Sequence, residues 1–282
     1  MKQFYQIFMM HRLVFSLFAY VLTVSLAVAQ TSEWKGTEFS QARIISAVTG
    51  VGGEKEVLLG FHVKLGSGWK TYWRTPGDSG IPPQFDWTGS KNLEKTQIYW
   101  PKPEAFDSFG LLTWGYKDEV VYLVAATVKD PTQPLQIALE VFYGICEEIC
   151  IPVRQEFQLT LPIEVNGVSP EAGIMKAFSK RIPAPVGETS AVTSLTIENN
   201  LEKLLKIEVS STIDFENPQI ILEGREGDFF VFKERQIFAG KRRAVFIVEA
   251  DLADKKNPLK GQDFTATILD ATIAVEGRAT VE

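Results

Sequence analysis

Cys146 and Cys150 are the only cysteines of the 282-residue chain, and three residues separate them in Tyr143-Gly144-Ile145-Cys146-Glu147-Glu148-Ile149-Cys150-Ile151-Pro152. Two thiols this close can cycle between dithiol and disulfide, or they can form a quiet cross-link. Cycling needs a sulfur that a partner's thiolate can reach in line. A disulfide across so short a loop removes little entropy from the unfolded chain, and domains of this size fold without staples. Both points favour exchange, whereas the prevalence of structural disulfides in exported proteins favours the cross-link. Glu147 and Glu148 lie between the sulfurs, where their charge disfavours a neighbouring thiolate. Such a pair suits passing electrons to a stronger oxidant better than oxidising other proteins. Arg154 is the nearest charge that could offset the two acids.

The flanking segments predict how the cysteines are held. Leu135, Ile137, Leu139 and Val141 alternate with polar residues, and Val153, Phe157, Leu159 and Leu161 do the same beyond the cysteines. Alternation on both sides of a Gly-containing connection reads as a hairpin with one buried face. The cysteines then sit at its tip, within bonding reach of each other and open to a partner's thiol.

Two aromatic stretches precede the hairpin: Gly68-Trp69-Lys70-Thr71-Tyr72-Trp73-Arg74-Thr75-Pro76-Gly77-Asp78-Ser79-Gly80-Ile81-Pro82-Pro83, and Trp100-Pro101-Lys102-Pro103-Glu104-Ala105-Phe106-Asp107-Ser108-Phe109-Gly110. Rigid aromatic loops can cap a reactive site or form a docking face. Equally, the tryptophans can be ordinary β-sandwich core. Lys241-Arg242-Arg243 after Gly240 reads as a solvated hairpin turn rather than an anion site.

Most of the remaining chain reads as β. Glu56–Leu65, Val120–Val128, Leu204–Ser210, Gln219–Leu222, Phe229–Phe232, Ala244–Glu249 and Phe264–Leu269 are rich in branched and aromatic residues and bounded by turn signals. All six tryptophans precede residue 115, and from Ser190 onward there is no Trp, Tyr or Cys. Between the halves, Ser169 as N-cap and Pro170 at the first position start a short helix whose Ile174, Phe178 and Ile182 form an apolar stripe. The expected class is all-β: two immunoglobulin-like β-sandwich domains joined by a linker with one short helix. The expected bounds are 30–165 for the first domain, 166–190 for the linker and 191–282 for the second domain.

Residues 1–29 read as a cleaved signal peptide. His11 and Arg12 precede the apolar run Leu13–Leu26, and Ala27-Val28-Ala29 fits a small-residue cleavage site. The run is shorter than the ~20 residues of a spanning helix. Met10 is an alternative start to Met1. The expected location is the periplasm, where disulfides persist. The chain carries a net charge of −6, and the leader holds Lys2 and Arg12 but no acid, so the exported protein is more acidic still. With no basic stripe, nucleic acid is a poor partner. His62 is the one histidine outside the leader, which argues against a multi-histidine zinc or copper site. A Cu(I) site on both thiolates is disfavoured by the dearth of His and Met around them.

The cysteine hairpin followed by Ile151-Pro152, preceded in order by the Gly68–Pro83 and Trp100–Tyr116 segments, resembles the periplasmic N-terminal (alpha) region of DsbD-type thiol:disulfide interchange proteins, particularly the ScsB-like copper-sensitivity suppressor branch. The resemblance covers about residues 34 to 165; the second half fits as the further β domain that ScsB-like proteins carry. It implies an immunoglobulin-like domain that relays electrons from a membrane-embedded thiol donor to periplasmic thioredoxin-fold proteins. Cys150 would form the mixed disulfide with the client and Cys146 would resolve it. It also implies an aromatic cap over the pair, matched by Phe106 or Phe109, with Trp69 and Tyr72 on the same access face. Two departures stand out. The chain ends at Glu282 without the membrane and thioredoxin-like domains of full-length relatives, so the expected donor is a separate polypeptide. The cysteine spacing is also shorter than in DsbD itself.

The function expected is therefore a periplasmic thiol:disulfide interchange component, a protein-disulfide reductase in effect, with the dithiol as electron carrier and no cofactor or metal. Its clients would be oxidoreductases, isomerases, apocytochromes of cytochrome c biogenesis, or proteins damaged under copper stress. The alternative is a non-catalytic binding or assembly module whose disulfide is structural.

Overall fold

The computed structural model describes residues 31–282 except 109, 165–166, 202 and 257. The expected signal peptide therefore lies outside the described residues. In chain order the first half holds β1 (Lys35–Gly36), β2 (Ser40–Ser46), β3 (Glu56–Leu65), β4 (Lys70–Gly77), β5 (Gln84–Asp86), β6 (Leu93–Tyr99), β7 (Glu104–Ser108), β8 (Leu111–Lys117), β9 (Glu119–Val128), β10 (Leu135–Cys146) and β11 (Cys150–Leu161). The helix α1 (Ala172–Ser179) follows. The second half holds β12 (Ala184–Pro185), β13 (Val192–Leu201), β14 (Leu204–Ser211), β15 (Gln219–Glu223), β16 (Phe229–Ile237), β17 (Arg243–Asp251), β18 (Asp263–Leu269) and β19 (Ala274–Thr280).

The chain is all-β apart from α1, and each half packs two sheets face to face. One pair of sheets has the orders β1-β2-β3-β9-β6 and β11-β10-β4-β8-β7, with β5 also on β10; the other has β12-β19-β18-β15 and β13-β14-β17-β16. Phe61, Trp73, Tyr122, Tyr143 and Phe157 dominate the first core, and Phe215, Phe246 and Phe264 the second. The contact between the halves is apolar as well as polar: Ile221 and Leu269 of the second half join the first core.

Two local patterns explain why these residues take these places. β10 alternates buried and open positions from Leu135 to Tyr143, as a strand with one face on a core must. β9 instead is apolar from Val120 to Ala126 because both its faces are covered there, one by the core and the other by α1, which buries Met175 and Phe178. Burial of each of those two side chains contributes roughly 1.5–3 kcal/mol. The helix begins two residues later than the sequence predicts. Ser169 does not cap it; its buried hydroxyl accepts from the Glu171 N–H (3.1 Å) and donates to the Ser46 carbonyl, tying the linker to β2.

A second tie to the linker runs through the buried His62. Its Nε2 donates to Glu119 Oε1 (2.7 Å), and its Nδ1 accepts from Arg43 Nε (3.3 Å), so the ring is neutral. Arg43 also pairs with Glu171 (2.9 Å) beside the start of α1, and Trp34 packs edge-on against the ring. Burial pulls the His62 pKa below its ordinary value, with Arg43 and Lys64 assisting and the Glu119 contact opposing. A second proton would also meet the Arg43 N–H head-on. The unfolded chain, with its His pKa near ~6.5, therefore binds this proton more readily than the folded one. The resulting stability is fully present above about pH 6.5 and is lost as pH falls toward the depressed folded value. Urea melts at pH 7.5 and pH 5 are expected to show a lower midpoint in acid, and His62→Gln should flatten that difference. An equal pH difference in the variant would remove His62 as the cause.

Candidate functional site

The two cysteines are bonded, and they are the last residue of β10 and the first of β11. They face each other directly in the hairpin register, with Cα atoms 4.1 Å apart. Register places them on the outer face of their sheet, because the core side of β10 is taken by Leu135, Ile137, Leu139, Val141, Tyr143 and Ile145. Their surroundings are unequal. Cys146 is buried at 6% exposure, whereas Cys150 is exposed, as are Glu147, Glu148 and Ile149 of the tip; Ile149 reaches 75% and the neighbouring Ile151 37%.

Tyr72 is the side chain that meets the pair. Its hydroxyl lies 3.2 Å from Cys150 Sγ, while its ring is almost wholly buried, and burial raises its pKa. Two glycines make room for that ring. Gly80, at φ 127°, lies flat on it, and any Cβ there would overlap the ring. Gly144 sits beside it: a Cβ there would be 3.3 Å from Tyr72 Cδ2 and 2.8 Å from Ile81 Cβ. The backbone locks the same contact. The Gly144 N–H donates to the Ile81 carbonyl (3.0 Å), Thr71 Oγ1 donates to the Gly144 carbonyl (2.8 Å), and the Tyr122 hydroxyl donates to the Tyr72 carbonyl (3.1 Å). A glycine inside a strand marks a close approach, so Gly144 was the available sequence signal for this packing. Nothing comparable singled out Ile81 or Thr71.

The electrostatics differ from what the local sequence implies. Arg154 pairs with Glu140 and lies over Phe142, so it leaves Glu147 and Glu148 alone. The positive charge comes from another strand. Lys70 of β4 stands directly opposite Cys146, and Lys117 of β8 stands opposite Lys70, so the row across the sheet reads Lys117, Lys70, Cys146, Cys150. Directly opposed residues share a face, so the partly buried Lys70 leaves the sheet on the same side as Cys146, with its ammonium over the Phe106 ring. Burial lowers the pKa of Lys70. Glu147 folds its carboxylate against Gly68, whose φ of 85° no side chain would favour.

Of the residues expected in an access face, Tyr72 touches the pair directly. Phe106, on β7, lies with its ring centroid 5.4 Å from Lys70 Nζ, one side chain removed from Cys146. Trp69 turns toward Phe39, on which it stacks at 4.7 Å. Phe109 lies outside the described residues. Of the other tryptophans in the aromatic stretches, Trp73 is fully buried in the first core, and Trp100 packs against it from its edge. Lys241-Arg242-Arg243 forms the β16–β17 turn, with Arg242 and Arg243 paired to Asp214 and Glu208. A groove of about 560 Å³ lies between the two sandwiches, lined by Arg74–Asp78, Leu112 and Trp114 on one side and residues 220–232 on the other. It contains neither cysteine and is distinct from the sulfur site.

Comparison with known proteins adds three findings. Residues 41–162 match the family model described as thiol:disulfide interchange protein DsbD, N-terminal, and residues 181–282 match a domain of unknown function. No curated protein matches the chain. Among solved structures, the N-terminal periplasmic domain of ScsB from Proteus mirabilis superimposes with a TM-score of 0.70 at 21% identity, covering 89% of this chain and 98% of that one. That likeness is one of fold. The periplasmic chaperone SfaE aligns at a TM-score of only 0.20 and 11% identity, over 85% of this chain and 100% of that one, and carries no weight.

A hydroxyl aimed at a sulfur favours the thiolate over the disulfide, because charged acceptors hold hydrogen bonds more strongly. Tyr72→Phe should therefore make the pair harder to reduce. A lost bond of about 1.5–3 kcal/mol corresponds to a fall in reduction potential of roughly 30–60 mV for two electrons. Glutathione equilibration with alkylation trapping reads this; an unchanged potential would deny the hydroxyl any part in setting it.

Proposed function

Residues 41–162 are a DsbD-type N-terminal domain, and from that premise we propose that the protein exchanges thiols for disulfides in the periplasm. In this reading Cys146 and Cys150 carry electrons from a membrane-embedded thiol donor to thioredoxin-fold proteins. Among the described residues no helix is long and apolar enough to cross a membrane. The observation that carries the reading is the asymmetry of the pair: an exposed Cys150 under the Tyr72 hydroxyl, and a buried Cys146 beside Lys70.

The asymmetry supports a division of roles. In the reduced protein the Cys150 thiolate attacks the client disulfide in line, and one client sulfur leaves as a thiolate. The Cys146 thiolate then attacks Cys150 Sγ, the mixed disulfide breaks, and the second client sulfur leaves. Two electrons and two protons have passed to the client, and the Cys146–Cys150 bond has re-formed. A donor dithiol attacking Cys150 reverses both steps and is itself oxidised. Burial keeps Cys146 out of a client's reach, so its nucleophilicity is spent only within the pair. The Lys70 ammonium across the strand favours Cys146 as the leaving thiolate when the donor attacks. Ile149 at the tip offers an exposed apolar side chain next to Cys150, and the Tyr72 hydroxyl meets the sulfur.

Trapping tests the assignment. Challenged with an oxidised thioredoxin-fold protein, reduced Cys146→Ser should accumulate a mixed disulfide through Cys150, and Cys150→Ser should not. The reverse pattern would exchange the two roles. The wild-type reduction potential is expected above about −250 mV, in the range of exchangeable pairs; a value below about −300 mV would mark a structural bond and transfer the protein to the binding-module class.

A further inference from the structure

The second sandwich grips the strand that carries Tyr72. β4 pairs with β8 at Tyr72↔Gly115 and again only at Gly77↔Thr113, so residues 73–76 bulge out against a single residue, Trp114. From this bulge Arg74 reaches the second half. Its Nε and Nη2 bind both oxygens of Glu223 on β15 (2.9 and 2.7 Å), and Nη2 also binds Glu276 on β19. Thr75 Oγ1 donates to Glu223 Oε1 (2.6 Å), and Thr267 Oγ1 to Glu276 Oε2 (3.1 Å). The guanidinium lies 4.0 Å from the ring of the fully buried Trp73, so its plane is fixed by an aromatic face and by two carboxylates. Burial alone would lower the Arg74 pKa; Glu223 and Glu276 outweigh it and raise it.

Both ends of the bulge lead to the sulfurs. At one end, two residues before Arg74, is Tyr72 with its hydroxyl on Cys150. At the other, the chain returns through Gly80 against the Tyr72 ring and Ile81 against Gly144, two residues before Cys146. A backbone excursion of this length has no ladder of its own to hold it. Trp73 anchors its start in the first core and Gly77 its end on β8, while its middle, Arg74 and Thr75, is bound by the second sandwich. Removing the guanidinium would also leave Glu223 and Glu276, both on the second sandwich, without the counter-charge that ties them to the first half, which loosens the contact between the halves.

We propose that the second sandwich is a positioning element for the redox pair, acting through Arg74 to hold Tyr72 against Cys150. This rests on the reading of Cys146–Cys150 as an exchangeable pair. Arg74 touches neither sulfur and is a positioning residue. Its effect passes through Tyr72, so the two substitutions must not add.

The test is a double-mutant cycle on the full protein: wild type, Arg74→Ala, Tyr72→Phe and the double variant. Each is equilibrated with glutathione, with a thermal melt as a check on folding. Arg74→Ala is expected to lower the equilibrium constant for reduction at least threefold, in the same direction as Tyr72→Phe. The double variant should lie within twofold of Tyr72→Phe alone. Arg74→Lys, which keeps the charge but loses the fork, should fall between wild type and Arg74→Ala. If Arg74→Ala does not fold, Thr75→Val and Glu276→Gln replace it in the same cycle. An equilibrium constant within twofold of wild type, or a shift that adds in full to that of Tyr72→Phe, would overturn the proposal and leave Arg74 a domain staple. A wild-type disulfide that glutathione cannot reduce would instead overturn the exchange function, and it is read before any variant is made.

Discussion

The register of the β10–β11 hairpin is the constraint on which the site depends. Side chains alternate with a period of two, so a slip of one residue would turn the cysteines inward and drive Phe157 and Leu159 into water. The paired apolar faces from Leu135↔Leu161 to Tyr143↔Val153 hold that register along the hairpin. The position of the sulfurs is therefore a consequence of hydrophobic burial far from them. The disulfide spans two opposed positions that the hairpin has already brought together, so a reduced pair stays adjacent and ready to close again.

What surrounds the sulfurs comes from other parts of the chain. β4 meets β10 only at Ile145 and Cys146, and β5 meets it at residues 140–142. In the gap between them the Ile81 carbonyl takes the Gly144 N–H, and Tyr72 fills the space that two glycines leave open. One aromatic side chain thus closes the outer face of the sheet and presents a hydroxyl to the more exposed sulfur. The acidic tip reads differently once folded, because Lys70 continues the row behind Cys146, while Lys117 beyond it pairs with Glu104. The strand opposite Cys146 carries Lys70, and the tip beyond it carries Glu147 and Glu148.

Much of this was legible before folding. The alternation from Leu135 and from Val153 identified the hairpin, and the structure extends both strands to the cysteines themselves. Glu56–Leu65 is a strand with the bounds its composition predicts, and Tyr72 was singled out within its aromatic segment. Other strands were harder to see. β7 and β8 hide in a Pro- and Gly-bearing stretch, and β6 is mostly polar because it edges a sheet with one open side. Ser169 looked like a cap because Ser before Pro usually is one, but a carbonyl of β2 competes for its hydroxyl. Arg154 was the wrong candidate for the counter-charge: Glu140, across the hairpin, claims it.

By itself the sequence determined what depends on neighbours along the chain: the period of each strand, the pairing of two close cysteines, and the all-β class. It also carried the ordered motifs through which the resemblance to DsbD-type domains can be read. Tertiary structure alone decided which cysteine is exposed, that Lys70 stands beside Cys146, and that Arg74 binds Glu223 and Glu276 some 149 and 202 positions away. The physical reason is one of range. Backbone propensity and side-chain alternation act over a few residues, whereas the field at a sulfur and the room beside it are summed over every strand that folding brings within a few ångströms.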